Sequence, residues 1–142
     1  AIALSPDFDY DETIFAVVDN ADGIQLWSKL ANENWNADYK VGNFGVSPNC
    51  CCYCTEAYIA FPSDFSVDVS SRFKVFVGLY NSSASYDDVY RVDGSYGSPT
   101  SNTVNARSLG FEGLSPDGVS SIAFVGSYGY KPLSAALFLK DS

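Results

Sequence analysis

Short apolar runs bounded by turn residues recur along the chain. Residues 13–18 (TIFAVV) form the first run, the polar stretch 19–23 (DNADG) follows, and residues 24–27 (IQLW) are largely apolar again. Runs of β-branched and aromatic residues between such turns are typical of strands, and Asp-Gly supplies the positive φ of a tight turn. Windows with apolar residues at helical spacing are few. The pattern therefore predicts a β-hairpin here and an all-β chain.

The order strand, turn, strand occurs twice more. The second copy runs from 74–80 (KVFVGLY) to 89–92 (VYRV), and the third runs from 121–126 (SIAFVG) to 135–139 (AALFL). Alternate positions of a strand point to the same side, so the apolar ones are expected in a core. The expected core residues are Phe15, Val17, Phe76, Leu79, Phe124 and Leu137.

A similar segment precedes each hairpin. Residues 2–8 (IALSPDF) are similar to residues 59–65 (IAFPSDF), and residues 114–118 (LSPDG) are a shorter version. Corresponding strands begin about 60 and then about 47 residues apart, close to the period of β-propeller blades. We therefore predict propeller-like repeats, about three blades of a larger propeller because three cannot close a ring, with a β-sandwich as the alternative. The approximate units of this single all-β region, 1–142, are 1–49, 50–106 and 107–142.

Charge and composition exclude several classes of function. The 142 residues include 8 Lys and Arg against 17 Asp and Glu, a formal net charge of −9, and no His. A nucleic-acid partner is excluded because it needs a basic surface. No apolar run approaches the ~18–20 residues of a membrane span. The lack of His removes Ser-His-Asp and Cys-His catalysis and any His-bound metal.

All four cysteines lie within residues 50–54 (CCCYC). Four thiolates this close along one chain do not easily surround a zinc ion or an iron–sulfur cluster, and no βαβ context supports a thioredoxin-like site. Structural disulfides in an oxidising, extracytoplasmic compartment are the favoured interpretation. Their pairing stays open: Cys51 with Cys54, or bonds to another chain segment. The predicted disulfide residues are Cys50, Cys51, Cys52 and Cys54.

Two loops carry further candidate chemistry. Asp7, Asp9 and Asp11 alternate around the first turn, and such carboxylates are hard oxygen ligands suited to calcium. Calcium is therefore the one candidate cofactor, against the alternative of a solvated acidic turn. Asn81 begins the triplet Asn-Ser-Ser, a formal N-glycosylation site.

The first unit carries a motif-like stretch. Its order of IALSPDF, strand, Asp-Gly and a strand ending in Trp-Ser resembles bacterial secreted β-propellers with BNR or Asp-box repeats, which include sialidase-like propellers. That family's box reads Ser-x-Asp-x-Gly-x-Thr-Trp. Residues 28–35 have its length, and Ser28 and Trp35 match its ends. The Asp, Gly and Thr of the box are replaced by Leu, Asn and Asn.

The later units keep less of this box. The second retains Asp93 and the third reaches Asp141. The resemblance implies that Ser28, Trp35, Asp93 and Asp141 belong to structural turns, in which the Asp accepts backbone N–H bonds and the Trp packs between blades. It implies no catalytic role for them.

A sialidase-like active site is not expected in this chain. It would need several arginines around a substrate carboxylate and a Tyr/Glu pair, and the only arginines are Arg72, Arg91 and Arg107, in no matching motif. We expect a non-catalytic extracellular or cell-surface scaffold, S-layer-like or envelope-associated, that binds other protein subunits or glycans. One alternative is the non-catalytic portion of a carbohydrate-active enzyme. Another is a self-assembling subunit of an extracellular filament or sheet, joined to further copies or to a longer chain.

Overall fold

Antiparallel β-sheets make up most of the chain wherever its structure is described. The computed structural model describes residues 1–20, 23–35, 54–81, 88–93, 105–108, 123–125 and 134–136, and side chains within 1–20, 24–35, 56–79 and 89–92. Within these ranges the strands form sheets of three, four and two strands. The prediction of an all-β chain is confirmed at this level.

Sheet 1 contains the first predicted hairpin. Its strands are β1 (Ile2–Leu4), β2 (Thr13–Asn20) and β3 (Gly23–Leu30), in that order. The β2–β3 ladder is regular from Thr13 opposite Leu30 to Asn20 opposite Gly23, so the hairpin is confirmed. One helical turn, α1 (Phe8–Asp11), connects β1 to β2 and was not predicted. It is too short for hydrophobic periodicity to reveal.

Sheet 2 contains the second predicted hairpin and two further strands. Its order is β4 (Cys54–Ala60), β5 (Lys74–Asn81), β6 (Asp88–Asp93) and β7 (Asn105–Ser108). The β5–β6 pairing confirms the hairpin predicted from the apolar runs. Strand β7 was not predicted, because its sequence, NARS, is polar and lacks the β-branched residues that mark a strand.

Sheet 3 pairs β8 (Ala123–Val125) with β9 (Ser134–Ala136). Both lie within the third predicted hairpin. The described strands of the three sheets follow one another along the chain, so that no sheet contains a strand from the sequence range of another.

One hydrophobic core joins sheets 1 and 2. At its centre, the ring of Phe15 on β2 lies 5.3 Å from that of Phe61, 5.7 Å from that of Phe65 and 5.9 Å from that of Phe73, centroid to centroid. The last three rings lie in or beside the connection from β4 to β5. Tilted and edge-on aromatic pairs at such distances add to the free energy of ordinary burial. The buried cluster comprises Phe15, Ile24, Leu26, Phe65, Val67, Phe73, Val75, Val77, Leu79, Tyr90 and Val92.

Strand β5 is buried on both faces. Val75, Val77 and Leu79 face the shared core, while Phe76 and Gly78, which alternate with them, are buried on the opposite side. The core prediction is therefore confirmed for Phe15, Phe76 and Leu79, and Val17 is half-buried against the same core. The side chains of Phe124 and Leu137 lie outside the described part.

Candidate functional site

The face of sheet 1 opposite to Phe15 carries apolar side chains, of which the two on β1 are the most exposed. Residues directly opposite each other in an antiparallel sheet share a face, and the register places Ile2 beside Ala16 and Trp27, and Leu4 beside Ile14 and Lys29. Ile2 is 75% exposed and Leu4 52%. We name this surface the outer face of sheet 1; its residues are Ile2, Leu4, Ile14, Ala16, Val18, Gln25, Trp27 and Lys29.

Two donors of the outer face are hydrogen-bonded within it or at its end. The indole Nε1 of Trp27 donates a hydrogen bond of 2.7 Å to the side-chain oxygen of Gln25. The ammonium group of Lys29 donates to the carbonyl oxygen of Ala31. The eight residues include no carboxylate, in a chain with 17 Asp and Glu. The outer face therefore offers mainly aliphatic and indole surface to a partner.

Strand β1 also has an open edge. Val17 N–H donates to Ala1 C=O at 2.9 Å, and Ser5 N–H donates to Thr13 C=O at 2.9 Å. Because bonding direction alternates along an antiparallel strand, the backbone groups of Ile2 and Leu4 point away from β2. Among the described strands, none pairs with that side of β1. Ile2 and Leu4 thus have both the most exposed apolar side chains of sheet 1 and backbone groups that point outward.

An open cleft of about 360 Å³ adjoins the outer face at Ile14. Phe8 and the aliphatic Ile14 supply its apolar walls, and the carboxylates of Asp9 and Glu12 supply its charge. Its other lining residues, Ala31 and Asn32, belong to the turn after β3.

The calcium candidates do not act as one cluster. Asp11 uses both carboxylate oxygens within the protein: one accepts from Ser5 Oγ at 2.6 Å and the other from Thr13 N–H at 2.8 Å. The backbone N–H of Asp7 donates to Ser5 Oγ at 3.2 Å, and Asp9 lines the cleft instead. Calcium stays a prediction, and at Asp11 it would have to share a carboxylate already engaged with Ser5 and Thr13.

Two residues beside the cleft have left-handed backbone conformations. Glu12 has φ of 49° and Ala31 has φ of 39°, and Ala31 N–H donates to Glu12 C=O at 3.0 Å. This bond closes the end of the β2–β3 ladder. For a residue with a Cβ atom, the left-handed conformation costs roughly 1–2 kcal/mol.

Replacing Ala31 with glycine should therefore stabilise the fold. We expect Ala31→Gly to raise the free energy of unfolding by up to about 1 kcal/mol, because relief of the Cβ clash exceeds the added entropy of the unfolded chain. Urea denaturation measures this change. The matched control, Ala16→Gly within β2, should lower it instead; stabilisation of both variants, or destabilisation by Ala31→Gly, would contradict the strain at Ala31.

The Asp-box candidates do not assemble into one site. Ser28 is buried within β3, opposite Phe15, so the turn expected over residues 28–35 begins only after Leu30. Trp35 is 39% exposed at the end of that turn. Asp93 ends β6, opposite Lys74. Asp141 lies outside the described residues. The proposed turn roles stay predictions.

The disulfide and glycosylation predictions fall at the margins of the described part. Cys50, Cys51 and Cys52 lie outside it, and Cys54 is the first residue of β4, opposite Asn81. Asn81 is the last residue of β5. Disulfides and glycosylation at these positions stay predictions.

A tyrosine and a carboxylate are hydrogen-bonded to each other on β4. The Tyr58 hydroxyl donates to the carboxylate of Glu56. This hydrogen bond, together with desolvation and the negative charge of Glu56, raises the pKa of Tyr58 above its usual value.

The arginines are only partly brought together. Arg91 on β6 lies opposite Arg107 on β7, and Arg72 lies in the turn before β5. Within the described residues, no group of three or more His, Cys, Asp or Glu is placed to hold a metal ion. The helices described there include none long and apolar enough to cross a membrane.

Comparison with known proteins adds no relative. No family model, curated protein or solved structure matches the chain. The site must therefore be interpreted from its own geometry, in which the outer face of sheet 1 and the edge of β1 are the most distinctive features.

Proposed function

We propose that this protein is a non-catalytic extracellular β-scaffold that binds other proteins through the outer face of sheet 1. The observation that carries this proposal is the exposure of Ile2 and Leu4 beside the half-buried Ile14, Val18 and Trp27. Contiguous exposed apolar surface is typical of interaction sites. Of the partners expected from the sequence, proteins suit this surface better than glycans, which need aromatic platforms with several polar groups.

Within this proposal the sheets are successive blades of a propeller. Each sheet is built of strands that are consecutive along the chain and antiparallel, as in a blade. Both faces of β5 are buried. This favours a sheet packed between two other layers, because each sheet of a two-layer sandwich has one face open to solvent. Electron microscopy of the assembly purified from the producing cells, in which further blades or further copies would complete the ring, tests this arrangement: ring-shaped particles support it, and particles without a central channel contradict it.

Substitution on the outer face tests the binding function. Leu4→Lys places a charge on an exposed apolar position and should weaken binding of a protein partner about tenfold or more. The partner is first captured from an extract of the producing cells, identified and purified, and its Kd is then measured for each variant. The matched control is Tyr10→Lys, since Tyr10 is 84% exposed but lies on α1. Equal Kd values for both variants would contradict the proposed surface.

A further inference from the structure

We propose that the open edge of β1 pairs with β1 of a second copy, across a two-fold axis at Ala3. This inference rests on the proposed function, because it names one partner of the outer face. In the dimer, two copies of sheet 1 become one continuous six-stranded sheet. Pairing of an exposed strand with another strand is an established mode of protein recognition.

The backbone of β1 is self-complementary in this arrangement. With Ala3 on the axis, Ile2 of one copy lies opposite Leu4 of the other. Ile2 and Leu4 are the residues whose N–H and C=O groups point outward, because Ala1 and Ser5 bond to β2. Ile2 of one copy and Leu4 of the other can therefore exchange two hydrogen bonds. The equivalent pair, related to the first by the two-fold axis, exchanges two more. The close, non-hydrogen-bonded pair on the axis is formed by Ala3, whose methyl group is small enough for that approach.

The side chains favour the same register. Ile2 and Leu4 of both copies lie on one face, so the two outer faces join into one apolar surface. Ile2 and Leu4 are both more than half exposed in the single chain, and each covers the other in the pair. Pro6 follows Ser5 directly and has no N–H to donate, so the strand and its pairing stay short. A contact of this size is expected to be weak, with a Kd on the order of 10–1000 µM.

Charge is compatible with a second copy as the occupant. With a net charge of −9, two copies repel each other, and their contact costs least where carboxylates are lacking. Strand β1 has no charged side chain, and the outer face has one cation, Lys29, and no carboxylate. Screening by salt should therefore strengthen this dimer, whereas it weakens an interface held by ion pairs.

Paired charge substitutions test the proposed register. In Ile2→Lys/Leu4→Lys, each new lysine at position 2 faces a lysine at position 4 of the other copy, so dimers should be lost. In Ile2→Lys/Leu4→Glu, each new lysine faces a glutamate, so dimers should return. Tyr10→Lys should leave the dimer unchanged. Analytical ultracentrifugation of the full chain with reductant, from roughly 5 µM to 1 mM, measures the dimer fraction, and circular dichroism checks that every variant is folded.

Each outcome decides the proposal. Concentration-dependent dimers of the wild type that the Lys/Lys variant abolishes and the Lys/Glu variant restores support it. A wild type that is monomeric at about 1 mM, or dimers that survive in the Lys/Lys variant, would overturn it. If the wild type is monomeric while Leu4→Lys still weakens binding of an identified partner, the self-pairing fails and the proposed function stands.

Discussion

Replacing Phe15 with alanine should destabilise the protein by about 3–5 kcal/mol, the largest effect expected of any single substitution considered. Phe15 is fully buried, and its ring contacts those of Phe61, Phe65 and Phe73. Its removal leaves a cavity at the junction of sheets 1 and 2. Because typical domains are stable by only about 5–15 kcal/mol, this substitution removes a large share of the protein's stability.

Two comparisons make this prediction specific. Phe15→Leu fills most of the cavity and should lose only about 1–2 kcal/mol. Tyr10→Ala removes an exposed ring and should change stability by less than about 0.5 kcal/mol. Urea unfolding is followed by tryptophan fluorescence, which reports on Trp27 and Trp35 in and beside sheet 1, and by far-ultraviolet circular dichroism, which reports on all sheets. Two separate transitions in the wild type would contradict a shared core.

Replacing Asp11 with alanine should lower the free energy of unfolding by about 2–4 kcal/mol. The Asp11 carboxylate accepts hydrogen bonds from Ser5 Oγ and from the backbone N–H of Thr13, and both Ser5 and Thr13 are buried. Without it, two buried donors lose their acceptor, and the turn between β1 and β2 loses its internal link. Thermal unfolding measures the effect.

Neighbouring carboxylates provide the control for Asp11. Asp9→Ala should change stability by less than about 0.5 kcal/mol, because Asp9 is exposed. Comparing both variants with calcium and with a chelator separates the structural role from the calcium prediction. We expect the loss in Asp11→Ala to be the same in both conditions. If Asp11→Ala were less stable than the wild type only in the presence of calcium, Asp11 would stabilise the fold through the ion.

The sequence predicted best where local signals agreed. In residues 13–30, strong β-formers on both sides of an Asp-Gly turn specify the β2–β3 hairpin, and the structure has it in full register. The polar strand β7 gave no such signal, because it is held by backbone pairing to β6. The one-turn helix α1 is also set by its surroundings: Asp11, its last residue, is bonded to Ser5 before it and to Thr13 after it.

The candidate site was harder to predict than the fold. Ile2 and Leu4 read from the sequence as ordinary strand residues, and nothing local reveals that they lie at a sheet edge. That position depends on which strands pair with β1, a long-range property.

Amide hydrogen exchange at β1, resolved residue by residue by nuclear magnetic resonance, tests the open edge most directly. In dilute solution, we predict protection of Ser5 N–H, which donates to Thr13, and fast exchange of the Ile2 and Leu4 amides, which point outward. As the protein is concentrated, the Ile2 and Leu4 amides should become protected while Ser5 stays unchanged. Protection of Ile2 and Leu4 that is already complete in dilute solution would contradict the open edge, and with it the binding surface and the paired dimer.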